Sequence, residues 1–330
     1  MTRRYSVRLL ILIELLAGAL ILSVILGAAR LPLGTVIDTL LGGGDQTSRS
    51  IVLGLRLPRA ALAGMVGGGL GLAGATFQAL LRNPLAEPYV LGVSGGAAVG
   101  AVAAVVLGWN IFAPWSLPLA ALLGALLAIA VVLRIATQAS RTLDTRVLLL
   151  AGVVVGAFFN AVILLMLTFA SAETFRSAVF WMMGSLAGAS WGANVLLAAY
   201  MAPAAVALIV MARPLNLLAV GEETALYLGT RVERVKLASF LIASLLVAAG
   251  VAVSGIIGFV GLIVPHAVRL LWGGDHQLLL PASFLLGASF LLFADMVART
   301  AAAPAELPVG VITALVGVPL FVMLLTRKAV

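Results

Sequence analysis

The chain has 330 residues, 63% hydrophobic and 10% charged, with a net charge of +8 at pH 7 and no cysteine. Soluble domains carry about one-quarter charged residues, so this composition excludes a soluble domain, and the absent cysteines exclude a disulfide framework or a thiolate metal site. The 20 Lys and Arg residues stand in short interruptions between apolar runs, a pattern that fits membrane topology and not nucleic-acid binding.

Helical crossing of a bilayer takes about 17–25 apolar residues. Such runs occur at 8–29, 58–81, 89–108, 115–136, 147–170, 191–212, 234–254, 256–272, 278–298 and 307–326, the eighth being short. They predict an all-α polytopic membrane protein of about ten spans, forming a single domain over 1–330. The first run lacks a clear small-residue cleavage site, so a retained anchor is expected. An even number of spans puts both termini on one side, and both are basic: Arg3, Arg4 and Arg8 at one end, Arg327 and Lys328 at the other. With the termini cytoplasmic, only Arg30, Arg49, Arg56, Arg59, Arg176 and Arg299 fall outside, as the positive-inside rule requires.

The connections carry the remaining signals. RNPLAEP (82–88) interrupts the apolar pattern between the second and third runs. Pro84 and Pro88 fix the local backbone and end helices there, giving a stiff loop. In RPLNLLAVGEETALYLGTRVERVK (213–236), Gly221 is placed to cap a short helix, Glu222 and Glu223 suit a helix N-terminus, and Gly229 suits a left-handed stop. A helix of about two turns is too short to be stable alone, so it must pack on this chain or on a partner.

Catalytic and nucleotide-binding patterns are missing. A P-loop needs Gly-Lys-Ser/Thr, whereas the two lysines, Lys236 and Lys328, follow Val235 and Arg327. His266 and His276 lack zinc-site spacing, so neither a catalytic set nor a metal site is expected. Asp295 and Arg299, spaced i,i+4, should pair on one helix. Glu14 stands in the first run without an evident partner.

Several of these segments occur together in a known family. RLPR (56–59), RNPLAEPYVLGVSGGA (82–97), GEETALYLG (221–229), GFVGLIVPHAVRLL (258–271) and ADMVAR (294–299) with ELPVGVITALVGVPLFVMLL (306–325) resemble the permease subunits of type II ABC importers, the FecCD-like family that carries ferric siderophores, haem or cobalamin. The resemblance covers essentially the whole chain. It implies a homodimer in the bacterial inner membrane, with two cytoplasmic ATPase subunits that bind ATP and Mg, a periplasmic binding protein, and no cofactor in this chain. It further implies a coupling segment at about 213–230, with Gly221, Glu222, Glu223, Leu228 and Gly229 at the ATPase contact. A cytoplasmic gate follows from Asn83 and Leu85 in one loop and Thr145 and Arg146 in another, although a small hydroxyl residue is more usual than Arg146. Arg56, Arg59 and Arg299 match the arginines that seat acidic residues of the binding protein. Iron chelates, as ferric siderophore or haem, are the expected cargo, with cobalamin the alternative. Met182, Met183, Phe180 and Trp181 stand near the outer mouth of the expected pathway.

Two other classes compete. An ion-coupled secondary carrier needs charges at the bilayer midplane, yet the acids here cluster at span ends apart from Glu14. A membrane-embedded enzyme needs a nucleophile with a base, or a metal set, and the sequence offers neither.

Overall fold

A computed structural model describes residues 3–109, 111–112, 115–140 and 143–326. Arg141, Arg327 and Lys328 lie outside the described residues, as does the Arg3 side chain. Among the described residues the chain is helical throughout, without a strand. The helices are α1 (Arg3–Ile25), α2 (Leu33–Leu40), α3 (Gln46–Arg49), α4 (Leu57–Leu80), α5 (Val93–Val106), α6 (Ser116–Ala139), α7 (Thr145–Thr168), α8 (Ala172–Met182), α9 (Trp191–Val210), α10 (Ala212–Val220), α11 (Glu222–Tyr227), α12 (Val232–Ser254), α13 (Val260–Trp272), α14 (His276–Thr300) and α15 (Val309–Thr326).

Each of the ten predicted runs falls on one of these helices. Among the described residues, seven helices are long and apolar enough to cross a membrane; α5, α13 and the described part of α15 are shorter. The second predicted run starts late, because a π-helical turn over Ser50–Arg56 joins α3 to α4 as one rod over Gln46–Leu80. The third and eighth runs start too early. With 14 and 13 residues, α5 and α13 reach about 20 Å, short of a hydrocarbon core of about 30 Å. Residues 82–92 and 255–259 precede them outside any α-helix, with a 3-10 turn over Pro88–Leu91, and Gly92 (φ 80°), Gly255 (φ 68°) and Phe259 (φ 69°) take left-handed conformations. Such backbone is tolerated at membrane depth only when buried in protein or lining a cavity, and these two segments bind each other. Tyr89 Oη donates to the Ile257 carbonyl at 2.8 Å and accepts from its N–H at 3.1 Å, while Glu87 Oε1 accepts from Phe259 N–H at 2.8 Å.

α4 is the central helix, packed by α14, α12, α13 and α9. Its glycines make that possible. A Cβ on Gly67 would strike the Gly287 carbonyl of α14, and one on Gly74 would strike the Gly261 carbonyl of α13. Lipid tails are as apolar as leucine, so close backbone approach supplies the packing that hydrophobicity alone cannot. The end holding 82–88 and 221–229, assigned inside by the charge pattern, is called the inner end below; the end holding 301–308 is the outer end.

Candidate functional site at the inner end

Three segments converge at the inner end. The 82–88 loop leaves α4 through Arg82, whose φ is 47°, and Asn83 Oδ1 accepts the Leu85 N–H at 3.0 Å in a turn that Pro84 favours. Buried Gln78 donates from Nε2 to the Leu262 carbonyl at 3.1 Å, fastening the base of the loop to α13. Asn83 is half-buried and Leu85 exposed. The second segment is the start of α7, where Asp144 Oδ1 accepts the Arg146 N–H at 2.7 Å and caps the helix. Thr145 is buried and Arg146 exposed.

The third segment is the predicted short helix. α10 ends at Gly221, whose φ of 154° turns the chain into α11. Glu222 and Glu223 occupy the first turn of α11, where the free N–H groups favour negative charge. Gly229, at φ 79°, stops it, and the Thr230 N–H reaches the Ala225 carbonyl at 2.9 Å, closing the C-terminus as a Schellman turn. Ala225 is buried, but Val220 (73% exposed), Leu226 (58%), Tyr227 (91%) and Leu228 (62%) are bare. The chain leaves this apolar face uncovered.

Arg82, Asp144, Thr145, Arg146, Gly221, Glu222, Glu223 and Thr224 line one polar cleft of about 570 Å³. The predicted gate residues Thr145 and Arg146 and the predicted coupling residues Gly221 to Glu223 therefore share a cavity. Asn83 and Leu85 are next to it along the chain but do not line it. Sequence reasoning missed the charges that join these segments. Glu222 Oε2 accepts from Lys236 Nζ at 2.9 Å, Glu222 Oε1 lies 3.7 Å from Arg82 Nη2, and Lys236 Nζ also reaches Glu233 Oε1 at 3.3 Å. The Glu233 Oε2 atom accepts the Leu143 N–H at 2.8 Å. The i,i+3 spacing of Glu233 and Lys236 was available in the sequence, but the second partner, Glu222, comes from another helix 14 residues back, and nothing local marks Lys236 as buried.

At the outer end the three arginines expected to seat the binding protein are all engaged within the chain. Arg56 is buried, and its guanidinium donates to the carbonyls of Val24 (2.8 Å), Ile25 (2.7 Å) and Ala29, where α1 ends. Arg299 is buried as well. It pairs with Asp295 across 3.1 Å, as the i,i+4 spacing predicted, and donates to the Ser23 carbonyl (2.6 Å) and Oγ (2.9 Å). Arg59 Nε donates to Asp295 Oδ1 at 2.9 Å, and its Nη1 meets Glu306 at 2.8 and 3.0 Å. Of the three, Arg59 alone is joined to an exposed charged side chain, that of Glu306. The physical reason is desolvation: a buried guanidinium must find acceptors, and the open carbonyls at the end of α1 supply them.

The fourth feature is a largely apolar hollow of about 610 Å³ between α8, the 255–259 segment and α15, lined by Met182, Met183, Phe259, Val311, Leu315 and neighbours. Met182 and Met183 lie side by side on the wall of this hollow. Phe180 is half exposed and lies beneath the Arg176 guanidinium, 5.5 Å from its ring centre, and Trp181 packs into the core.

The model of the FecCD transport family matches residues 15–327. The chain belongs to the FecCD family. Among relatives of this FecCD-family chain, the uncharacterized ABC transporter permease YvrB of Bacillus subtilis is 39% identical over 323 residues, covering 95% of this chain and 91% of that protein. The cobalamin import system permease BtuC of Halobacterium salinarum is 44% identical over 288 residues, covering 87% and 76%. The hemin transport system permease HmuU of Yersinia pestis is 38% identical over 329 residues, covering 97% and 94%. A solved structure described as an inward-facing metal-chelate type ABC transporter superposes with a TM-score of 0.88 at 32% identity, covering 97% of this chain and 98% of that one. The chain is thus a multi-pass ABC transporter permease with the type II importer fold.

Proposed function

We propose that this permease works as a homodimer in the bacterial inner membrane, with both termini cytoplasmic, importing a metal chelate handed over by a periplasmic binding protein. Two separate ATPase subunits bind ATP and Mg and drive the cycle; the permease itself holds no cofactor. The observation that carries this reading is α11, a six-residue helix too short to persist unaided. Its Leu226, Tyr227 and Leu228 are bare outside any spanning run. Exposed apolar groups clustered in this way mark a protein contact, and the ATPase is the contact that an ABC permease requires at its inner end.

On this reading Gly221, Glu222, Glu223, Leu228 and Gly229 form the coupling contact, and Asn83, Leu85, Thr145 and Arg146 line the inner gate. At the outer end Arg59, shared with exposed Glu306, is the arginine that meets the binding protein. The cargo is a bulky, largely apolar chelate, haem or a ferric siderophore, taken along a path that includes Met182 and Met183. Cobalamin is a second reading, favoured by the 44% identity to a cobalamin permease.

Replacing Leu228 with Asp puts a charge into the proposed ATPase contact, where an unpaired charge on a buried interface costs several kcal/mol. The variant should insert normally but lose co-purification with the ATPase, or hydrolyse ATP without uptake. Wild-type ATPase association together with wild-type uptake would remove the coupling role. The visible absorption spectrum of the cognate binding protein, as purified, separates haem, cobalamin and ferric siderophore.

A further inference from the structure

Lys236 stands in the first turns of α12, and its side chain is 2% exposed. An ammonium withdrawn from water to this degree is held only by its partners, and here both are carboxylates from different elements: Glu222 of α11 at 2.9 Å and Glu233 of α12 at 3.3 Å. Each carboxylate uses its other oxygen on an inner loop. Glu222 Oε1 faces Arg82, the residue before Asn83, at 3.7 Å, and Glu233 Oε2 accepts the N–H of Leu143, two residues before Thr145, at 2.8 Å. One buried cation therefore closes an unbroken path from Arg82 through Glu222, Lys236 and Glu233 to Leu143.

We propose that Lys236 is the positioning residue that transmits movement of α11, through Glu233, to the 143–146 loop. The inference rests on the reading of α11 as the ATPase contact and names how that contact reaches the gate. Displacing α11 draws Glu222 along. Because Lys236 cannot be left with half its charge compensation in a dry site, it either holds Glu222, moving the start of α12 with α11, or turns wholly to Glu233, shifting the acceptor that fixes Leu143. Both responses move an inner loop. The Arg82 arm is exposed and follows Glu222 through a weaker, water-screened attraction, so the 143–146 loop is the more tightly driven of the two.

The native chain has no cysteine, so single cysteines at Asn83 and at Arg146 report on each loop in the assembled transporter. The measurement is the ratio of maleimide labelling rates with ATP–vanadate and without nucleotide. In the otherwise wild-type complex this ratio should differ from unity at both sites, by about tenfold, a size ordinary for site-to-site coupling. With Lys236→Met the complex should still co-purify with its ATPase; the ratio at Arg146→Cys should fall to unity while that at Asn83→Cys, reached directly from Glu222, survives, and Lys236→Arg should restore the lost response. Glu233→Gln alters an exposed carboxylate and keeps the Glu222 to Lys236 pair, which guards against a folding defect. It should abolish the response at Arg146→Cys and spare that at Asn83→Cys. The relay is overturned if the Arg146→Cys ratio stays at its wild-type value in Lys236→Met, or if Glu233→Gln affects both sites equally. A wild-type chain that fails to co-purify with any ATPase overturns the underlying reading, whatever the variants do.

Discussion

The two ends of the molecule hold their charges in opposite ways. At the outer end, Asp295 has no exposed surface and sits between Arg59 and Arg299, while Arg56 and Arg299 finish the carbonyls of Ser23, Val24, Ile25 and Ala29. Every one of these groups ties α1, α4 or α14 to another. At the inner end the carboxylates of Glu222 and Glu233 are 31% and 51% exposed and Arg82 is 45% exposed, bordering a polar cleft with Lys236 behind them. Water competes for Arg82, Glu222 and Glu233; at the outer end it reaches Glu306, the partner of Arg59, but not Asp295. The network around Asp295 therefore behaves as a fastening between helices, and the inner one as exposed arms, such as Arg82 to Glu222, that exchange partners at little cost around one buried cation, Lys236, that does not. A transporter that must keep its subunit intact while its inner loops move needs both.

The sharpest way to break this contrast is Asp295→Ala, which strips the carboxylate from two largely buried arginines at once. Removing one partner of a buried ion pair costs about 3–5 kcal/mol, so the variant should show the largest fall in thermal stability in detergent, with reduced yield of folded protein. A melting temperature within a degree or two of wild type would mean that water already reaches the outer network.

How much of this was legible in the sequence follows from the range of each signal. The apolar helices were visible because apolar length is a property of contiguous residues, and the α11 boundaries because Gly221 and Gly229 are local conformational requirements. The Asp295 to Arg299 pair was readable from one helical turn. By contrast, Arg59 finds Asp295 across 236 positions and Arg56 finds carbonyls that have no sequence signature, so nothing local marked these two arginines as already partnered. The late starts of α5 and α13 were hidden for a related reason: glycine and aliphatic residues read alike whether the backbone is helical or folded inward, and only the bonds between Tyr89 and Ile257 distinguish the two. Lys236 needed the fold to bring α11 against α12.

The inner counterpart of Asp295→Ala is Arg82→Gln. Arg82 and Glu222 lie 3.7 Å apart with both side chains in part exposed, and such pairs contribute about 0.2–1 kcal/mol. The expected change in melting temperature is small and shrinks further in high salt, where the pair is already screened. A loss as large as that of Asp295→Ala would abolish the proposed distinction between a fixed end and an exchangeable one.

The smallest effect separates the exchangeable inner pairs from one inner contact that is fixed. In the turn between α13 and α14, Asp275 Oδ2 accepts from Tyr5 Oη at 2.7 Å, and its Oδ1 accepts from Asn216 Nδ2 at 2.8 Å and from the Gln277 N–H at 2.9 Å. Burial pushes this carboxyl up, but the bonds from Tyr5, Asn216 and Gln277 outweigh it and hold the group below its ordinary value. A carboxylate with a depressed pKa in the folded state lends stability above the unfolded value, near about 3.9, and loses it as the pH falls through the folded one. Tyr5→Phe removes one of the three donors and so brings the folded value back toward the unfolded one. The variant should melt slightly below wild type at pH 7. The gap should then narrow below about pH 4, because protonation takes from wild type the advantage that the variant has already lost. Melting curves across that interval decide it. A gap that stays constant into acid would mean that Tyr5 contributes by packing alone, and that the tie between α1 and the α13 to α14 turn is not electrostatic.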